Sequence, residues 1–273
     1  MSVYILAGAR TPQGSFLGSL SSVSAPKLGA VAIEAAVEKA GISKNKIDEV
    51  FMGNVVQAGV GQAPARQAAI FADLDKSTPC TTINKVCGSG MQSVILGAKS
   101  ILTGDANIVV SGGMENMSMA PHLLPGSRNG IKFGPGSLKD SMQWDGLWDV
   151  YSDQPMGNCA EECTTKYDLT REAQDAFSIT SFKRAQKAQA SGAFDKEIAA
   201  VTISGRKGDV VVNEDEGPSK VKFDKVPTLR PAFKKDGTIT AANASTINDG
   251  ACALVLGGED FKDQAKFKIL GWA

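Results

Sequence analysis

An alternation of strand-like and helix-like segments over the first 118 residues constrains the fold of this chain most strongly. The apolar, strand-like runs are 3–10, 48–56, 81–86 and 106–116. The helix-like segments between them are 25–41, 65–74 and 88–104. Pro26 suits the first turn of the first helix, and Gly41 suits its C-terminal stop. Strands that alternate with helices in this way predict an α/β layer structure.

The middle of the chain has a different composition, rich in Gly, Pro, Ser and charged residues. It contains one strong predicted helix, 170–192, followed by a charged, partly β segment, after which the α/β pattern returns. We therefore predict an α/β domain made of residues 1–118 and 249–273, interrupted by an inserted loop domain of residues 119–248. The final run, 266–273, resembles a strand that has only begun, so we expect the sequence to be a truncated piece of a longer protein.

Composition narrows the function classes. Hydrophobic residues make up 42% of the 273 residues, charged residues make up 21%, and the formal net charge is zero. A neutral chain argues against a nucleic-acid or anionic-membrane binder, because both need a basic excess. No apolar run approaches the roughly 20 residues that a membrane span needs. The five cysteines contain no CxxC pair and do not look like a disulfide framework, so we expect a reducing, cytoplasmic location.

Cys87 is the first candidate functional residue, because it stands between the strand-like run 81–86 and the helix 88–104. A thiol attacks as the thiolate, and the N–H groups and dipole of a helix N-terminus favour an anion. The small residues that follow, Gly88-Ser89-Gly90, let backbone N–H groups approach a ligand closely. The helix is apolar on most faces, so we expect it to be deeply buried. This local pattern leaves two interpretations open, a nucleophile and a buried cysteine that packs as a small hydrophobe.

The other cysteines and the basic residues give weaker signals. Cys159 and Cys163 lie four residues apart, but two thiols alone make a poor metal site, and no metal site is predicted. Cys80 and Cys252 have apolar neighbours and are expected to be structural. A basic cluster in the second half of the chain either forms a solvated face or holds a phosphorylated ligand. Its members are Lys220, Lys222, Lys225, Arg230, Lys234 and Lys235.

The chain also contains five longer motifs, namely NKVCGSGMQSVILGAKSI, SGGMENMS, GQAPARQAA, PMGNCAE and TAANASTINDGACALVL. Together they resemble the thiolase family, in its acetyl-CoA acetyltransferase branch, and the resemblance runs over the whole chain. It implies a thiolase-like αβα half of a five-layer αβαβα fold, with an inserted loop domain that binds coenzyme A. It also implies that Cys87 is the catalytic nucleophile.

The activity that the resemblance implies is that of an acetyl-CoA C-acetyltransferase. Cys87 would take the acetyl group of one acetyl-CoA, and the deprotonated methyl carbon of a second acetyl-CoA would attack this acyl-enzyme. The products would be acetoacetyl-CoA and coenzyme A, with thiolysis as the reverse reaction. The backbone N–H of Cys87 would donate to the thioester oxygen as negative charge develops on it. Coenzyme A thioesters are substrates in this scheme, and no tightly bound cofactor is expected.

The resemblance also implies which residues bind coenzyme A. Leu147 and Met156 would line the pantetheine tunnel, and Ser245 would hydrogen-bond the pantetheine arm. Phosphate groups favour basic side chains. The segment that would meet the nucleotide end consists of Lys220, Val221, Lys222 and Lys225.

Three positions limit what the resemblance predicts. Pro155 stands where many relatives have a histidine, which leaves the tuning of the acyl pocket open. Phe182 stands where some animal relatives use a tyrosine to help bind potassium, which leaves a monovalent-ion site open. The single histidine, His122, is expected to be a loop or subunit-contact residue. In the family, the activating histidine, an acid/base cysteine and a water-positioning asparagine belong to a second α/β half, so we expect this chain to be inactive alone.

The expected partners are acetyl-CoA, acetoacetyl-CoA and coenzyme A, with neither nucleic acid nor a membrane. Thiolases are dimers or tetramers, and GQAPARQ resembles a segment near the dimer contact, so a homodimer or homotetramer of the full-length protein is expected. Two alternatives stay open. One is a longer-chain 3-ketoacyl-CoA thiolase, which acyl-chain selectivity would distinguish. The other is a non-catalytic coenzyme A-binding fragment, which would bind ligand without turnover.

Overall fold

A computed structural model describes residues 2–273 and places one seven-stranded sheet at their centre. The strands are β1 (Val3–Arg10), β2 (Gly14–Ser15), β3 (Glu49–Gly53), β4 (Cys80–Ile83), β5 (Ile108–Asn116), β6 (His122–Leu123), β7 (Lys139–Asp140), β8 (Trp148–Asp149), β9 (Gln154–Pro155), β10 (Val201–Ile203), β11 (Val210–Val212), β12 (Asn248–Gly257) and β13 (Phe267–Ile269). The α-helices are α1 (Ala25–Ala40), α2 (Pro64–Phe71), α3 (Ser89–Thr103), α4 (Ser141–Gly146), α5 (Met156–Lys166) and α6 (Arg171–Ala190). Short 3-10 helices occupy Lys44–Lys46, Met117–Met119, Ser127–Asn129, Pro218–Lys220, Phe223–Thr228 and Glu259–Gln264.

The central sheet is mixed, in the order β13–β1–β12–β5–β3–β4, and β2 pairs with the start of β12. Strands β5, β3 and β4 are parallel to one another, whereas β12 is antiparallel to both β5 and β1. The carboxyl ends of the three parallel strands therefore meet at one edge of the sheet. Ligand sites of α/β sheets form at such an edge.

Helices cover both faces of this sheet. On one face α1 and α2 pack over the strands, and α1 buries Leu28, Ile33 and Val37 in the larger core. On the other face α3 packs through Ala98 and Ile101 in a second, smaller core. Each face thus buries one apolar layer against the sheet, which is the layered arrangement that the sequence predicts.

Most of the predicted elements of the α/β part are present. Strand β1 and helix α1 begin where the sequence predicts, and α1 ends at Gly41, whose φ of 66° suits a left-handed helix stop. The strand predicted over 48–56 is shorter and ends at Gly53, because the N–H of Val55 donates to the Glu115 carboxylate and not to a neighbouring strand. The strand predicted over 81–86 is also wrong in its bounds, because β4 occupies Cys80–Ile83 and the chain turns sharply at Val86.

The expected deep burial of α3 is wrong for this chain. Helix α3 turns small residues and Ile101 toward the sheet, but Met91 on its outer side is 75% exposed and Leu102 is 39% exposed. No element among residues 2–273 covers that outer side. The apolar composition of α3 therefore exceeds what its one packed face requires.

Part of the predicted loop domain packs directly on the α/β core. Val201 and Val212, from the β10–β11 hairpin, are buried in the same cluster as α1, and the N–H of Ala199 donates to the carbonyl of Arg10 over 2.7 Å. The division at residues 118 and 249 stays a prediction. Within residues 2–273, no helix combines the length and the hydropathy that crossing a bilayer requires.

Candidate active site

A cavity of about 640 Å³ opens beside the start of α3, where β3 and β4 end. We call it the Cys87 cavity. Its wall is formed by the C-terminal ends of β1, β3 and β5, by the beginning of β12 and by the loop that precedes α3. Side chains at its surface with polar or reactive groups include Arg10, Asn54, Cys87, Glu115, Asp249 and Cys252.

Cys87 lies in this cavity, and it is exposed. Strand β4 ends at Ile83 and α3 begins at Ser89, so Cys87 precedes the first turn of the helix, as the sequence predicts. The exposure excludes the other interpretation, a buried cysteine that only packs. A thiol in this position can reach a substrate, and the helix N-terminus behind it favours negative charge.

The residue before Cys87 has a strained backbone. Val86 has a φ of +47°, in the left-handed region that β-branched residues rarely adopt. Such a conformation costs on the order of 1–3 kcal/mol and persists only where the surroundings enforce it. We call residues 84–89 the Cys87 turn.

Hydrogen bonds within the Cys87 turn enforce this conformation. The N–H of Val86 donates to Asn84 Oδ1 over 3.0 Å. The N–H of Lys85 donates to Ser89 Oγ over 2.8 Å, and the Ser89 hydroxyl donates to the carbonyl of Val86 over 2.6 Å. The N–H of Gly88 donates to the carbonyl of Lys85 over 3.1 Å. The turn is therefore closed by several bonds that precede the first helical turn of α3.

Glu115, near the end of β5, is a part-buried carboxyl group of the cavity wall. It accepts from Asn54 Nδ2 over 2.7 Å and from the N–H of Val55 over 2.8 Å. Burial raises the pKa of the Glu115 carboxyl, although these hydrogen bonds oppose the rise. The bonds fix the loop after β3 against β5, and so they shape the cavity wall.

Arg10 holds the other side of the cavity together. Its guanidinium binds Asp215 in a bidentate pair, with distances of 2.7 Å and 2.9 Å, and its Nε donates to Glu197 over 2.7 Å. Burial opposes the charged form, but the two carboxylates raise the pKa of Arg10. The ion pair fastens the segment after β11 to the end of β1. One of its terminal nitrogens also donates to the carbonyl of Thr11 over 3.2 Å, so Arg10 acts here as a structural cation.

Cys252 corrects a sequence expectation. It was expected to be a structural thiol, but its side chain is exposed and lines the Cys87 cavity. Neighbouring protein atoms still desolvate this thiol and raise its pKa. Cys80 is half-buried beside Arg66, and burial raises its pKa as well. The two remaining thiols, Cys159 and Cys163, lie on α5 outside the cavity.

The residues expected to bind coenzyme A divide into two groups. Leu147 lines the Cys87 cavity, and the N–H of Met156 donates to its carbonyl over 2.9 Å, so these two lie together. Lys220, Lys222 and Lys225 are exposed and lie outside the cavity wall.

Helix α6 connects the residues of the second group. The two 3-10 turns that carry Lys220 and Lys225 pack against α6, and Val221 and Lys222 connect them. At this contact Arg171 of α6 donates to the carbonyls of Val226 and Leu229. Ser245 is exposed on the loop before β12, and the hydroxyl of Ser178 binds that loop at the carbonyl of Ala242. Both segments are thus mounted on one helix.

Sequence reasoning missed Glu115, the Arg10–Asp215 pair and the accessibility of Cys252. A signal existed for Cys252, because side chains alternate along β12 and this residue must face the opposite side from Ala251 and Ala253. His122 begins the exposed hairpin β6–β7 and does not line the cavity. Residues 2–273 contain no group of three or more His, Cys, Asp or Glu side chains placed to hold a metal ion.

Residues 3–260 match the family model described as the thiolase N-terminal domain. The chain belongs to the thiolase family. Among solved structures, the Acat5 thiolase from Ascaris suum, in complex with coenzyme A, aligns with a TM-score of 0.92 and 45% identity, covering 99% of this chain and 70% of that one. The thiolase-like α/β fold expected from the motifs is confirmed.

Several curated thiolase relatives are named acetyl-CoA acetyltransferase. The one from Schizosaccharomyces pombe is 52% identical over 271 residues, which cover 98% of this chain and 67% of the relative. The one from Cupriavidus necator is 52% identical over 271 residues, covering 98% and 68%. The mitochondrial erg10A of Aspergillus fumigatus is 54% identical over 258 residues, covering 94% and 60%. This chain therefore spans between 60% and 68% of the length of these relatives.

Proposed function

We propose that this thiolase-family chain provides the nucleophile of an acetyl-CoA C-acetyltransferase. The observation that carries the proposal is the exposed thiol of Cys87 at the start of α3, inside a cavity of about 640 Å³. The names of the relatives, at 52–54% identity, favour acetyl-CoA as the substrate. The reaction would be the condensation of two acetyl-CoA molecules to acetoacetyl-CoA and coenzyme A, together with its reverse.

The first step would be acyl transfer to Cys87. The thiolate attacks the carbonyl carbon of acetyl-CoA, a bond forms from Sγ to that carbon, and the bond from carbon to the coenzyme A sulfur breaks. Coenzyme A leaves with the bonding electron pair and takes up a proton. Negative charge develops on the thioester oxygen, and the backbone N–H of Cys87 would donate to it.

The second step would form the carbon–carbon bond. A second acetyl-CoA loses a methyl proton, and its methyl carbon forms a bond to the carbonyl carbon of the acetyl group on Cys87. The bond from that carbon to Sγ breaks, and Cys87 leaves as the thiolate. The only histidine does not line the cavity. We therefore assign the proton-accepting role to no residue described here.

Coenzyme A would extend from the Cys87 cavity over α6. Leu147 and Met156 would contact the pantetheine arm where it enters the cavity, and Ser245 would hydrogen-bond it further out. The nucleotide end would lie on the segment Lys220–Lys225, where exposed ammonium groups complement phosphate charge. The packing of both segments on α6 supports this path, since one rigid helix would position them together.

Assembly and location are also proposals. We propose a homodimer or homotetramer of the full-length protein. We also propose a cytosolic location, as for the cytosolic ERG10 of Gibberella zeae, which is 51% identical over 276 residues. The competing proposal is a mitochondrial location, because other relatives are named as mitochondrial.

Single-turnover acetylation tests the proposed function. The full-length protein is mixed with acetyl-CoA, quenched in acid, and examined by intact mass and peptide mapping. One added acetyl group on Cys87, absent from Cys87→Ala, is expected. Acetylation of another residue, or none in a folded protein, would refute the proposal. Parallel reactions with longer acyl-CoA donors distinguish the longer-chain thiolase, and coenzyme A binding without acyl transfer would favour the non-catalytic alternative.

A further inference from the structure

Ser89 is held rigidly at the start of α3. It is only 4% exposed, and a Cβ added to Gly53 would lie only 2.7 Å from the Cβ of Ser89. The end of β3 thus packs closely against this serine, which leaves its side chain little freedom to move.

The bonds of Ser89 enclose the strained residue. Its hydroxyl accepts from the N–H of Lys85, just before Val86, and donates to the carbonyl of Val86 itself. The N–H of Ser89 donates to the same carbonyl over 3.0 Å. Two donors from one residue therefore fix the direction of the Val86 carbonyl.

That carbonyl and the N–H of Cys87 belong to one peptide group. A trans peptide is planar, and its C=O and N–H point in opposite directions. Because Ser89 holds the Val86 carbonyl toward the protein, the N–H of Cys87 is directed away from Ser89. Rotation of this peptide would redirect both the N–H and the path of the chain into Cys87.

We propose that Ser89 is a positioning residue for Cys87, which keeps Val86 in its left-handed conformation and directs the Cys87 N–H toward the substrate oxygen. The inference rests on the proposed function for its catalytic consequence. Asn84 also bonds Val86, but Asn84 is exposed, so water can replace its contribution. Ser89 itself is only 4% exposed and its two hydroxyl bonds are part-buried, so water reaches them less easily than it reaches Asn84.

Ser93 provides a matched control one helical turn further along α3. It is fully buried, and its hydroxyl is placed to bond the carbonyls of Gly90 and Gly112, at 2.6 Å and 2.8 Å. Ser93→Ala therefore removes a buried hydroxyl from the same helix without touching Val86. A loss of rate caused by general loosening of α3 would appear in both variants.

The experiment measures single-turnover acetylation of Cys87 against acetyl-CoA concentration in the full-length protein. Ser89→Ala should lower the maximal rate constant by about tenfold or more, with the half-saturating concentration changed less than about threefold. Ser93→Ala should keep the maximal rate within about twofold, although both variants lose a similar part of their thermal stability. An equal loss of rate in both variants would show that the role of Ser89 is only structural.

A second background makes the test specific for the strained residue. Glycine adopts positive φ without steric cost, so Val86→Gly needs no hydroxyl to hold this conformation. The loss caused by Ser89→Ala should therefore shrink to about threefold or less in the Val86→Gly background. An undiminished loss there would contradict the inference.

A crystal structure of Ser89→Ala separates the inference from the proposed function. If Val86 keeps its left-handed φ in that structure, the positioning role is wrong whatever the acetylation rates are. If Val86 changes conformation while wild-type Cys87 is never acetylated, Ser89 does position the turn and the proposed activity is wrong.

Discussion

Two glycines under the start of α3 allow a matched test of packing. Gly53 of β3 and Gly113 of β5 are partners in the parallel register, and both face the beginning of the helix. A Cβ on Gly53 would lie 2.7 Å from Ser89 Cβ, 2.8 Å from the Ser89 carbonyl carbon and 2.9 Å from the Gly90 nitrogen. A Cβ on Gly113 would meet nothing closer than Gly90 Cα at 3.4 Å.

The two substitutions should therefore differ in their effect on stability. The atoms that Gly53→Ala would meet are backbone or Cβ atoms, which no side-chain rotation can move, so we expect a loss of about 1–3 kcal/mol from overpacking. At about 2–4 °C per kcal/mol, the midpoint of thermal unfolding should fall by roughly 2–12 °C. Gly113→Ala should be neutral or raise stability by up to about 1 kcal/mol, because alanine restricts the unfolded chain.

Circular dichroism melts of the two variants and the wild type measure this difference. The acetylation rate of Cys87 gives a second readout, because the atoms displaced by Gly53→Ala belong to Ser89 and Gly90 beside the Cys87 turn. We expect slower acetylation in Gly53→Ala and an unchanged rate in Gly113→Ala. Equal midpoints in the two variants, or a larger loss in Gly113→Ala, would refute the reasoning from these distances.

Three further predictions concern reactivity, ligand binding and pH. With limiting iodoacetamide, peptide mapping of the folded full-length protein should find Cys87 labelled before the other four thiols. Cys87 is exposed directly before a helix, whereas desolvation raises the pKa of Cys80 and Cys252, and Cys159 and Cys163 lie within α5. Earlier labelling of any other thiol would contradict this. Lys220→Ala and Lys225→Ala should each weaken coenzyme A binding, and the loss should be larger at low salt than at high salt. Lys46→Ala, on another exposed turn far away in the chain, should leave the affinity unchanged. If calorimetry finds unchanged affinity in both test variants, these lysines do not bind coenzyme A. Burial opposes ionisation of Glu161, but N–H groups of Ile239 and Thr238 bond its carboxylate and lower its pKa. The pKa of Glu161 in the folded protein lies below its unfolded value of about 4.3, so ionised Glu161 stabilises the fold at pH values above about 4.3. This stabilisation is lost as the pH falls through the folded pKa. The difference in urea stability between wild type and Glu161→Gln should therefore shrink as the pH is lowered from about 7 to about 3, and a constant difference would show that Glu161 is not responsible.

The α/β elements could be predicted because their signals are local. The apolar run of β1 and the Pro26 and Gly41 signals of α1 lie within the segments that they define. The position of Cys87 before a helix could be predicted for the same reason. The catalytic role of Cys87 follows only from the resemblance to thiolases and stays a prediction, whereas the family itself is confirmed.

The rest depends on contacts between distant residues. Valine is typical of strands, so nothing local to Val86 predicts a left-handed backbone, which the packed Ser89 enforces. The burial of Glu115 depends on the loop after β3, about 60 residues earlier in the chain. The exposed side of α3 could not be predicted either, because its apolar residues indicate burial without showing what covers them.

The place of β1 in the sheet has a consequence for synthesis. Its two neighbours are β12 and β13, and Tyr4 pairs with Gly257 and Lys268. A ribosome adding about 5–20 residues per second needs roughly 12–50 s to make the intervening chain. Throughout that time β1 has apolar side chains and unpaired backbone groups with no partner strand. Such a nascent segment is a natural client for chaperones that hold exposed strands, and slowing translation downstream of residue 10 should lengthen its dependence on them.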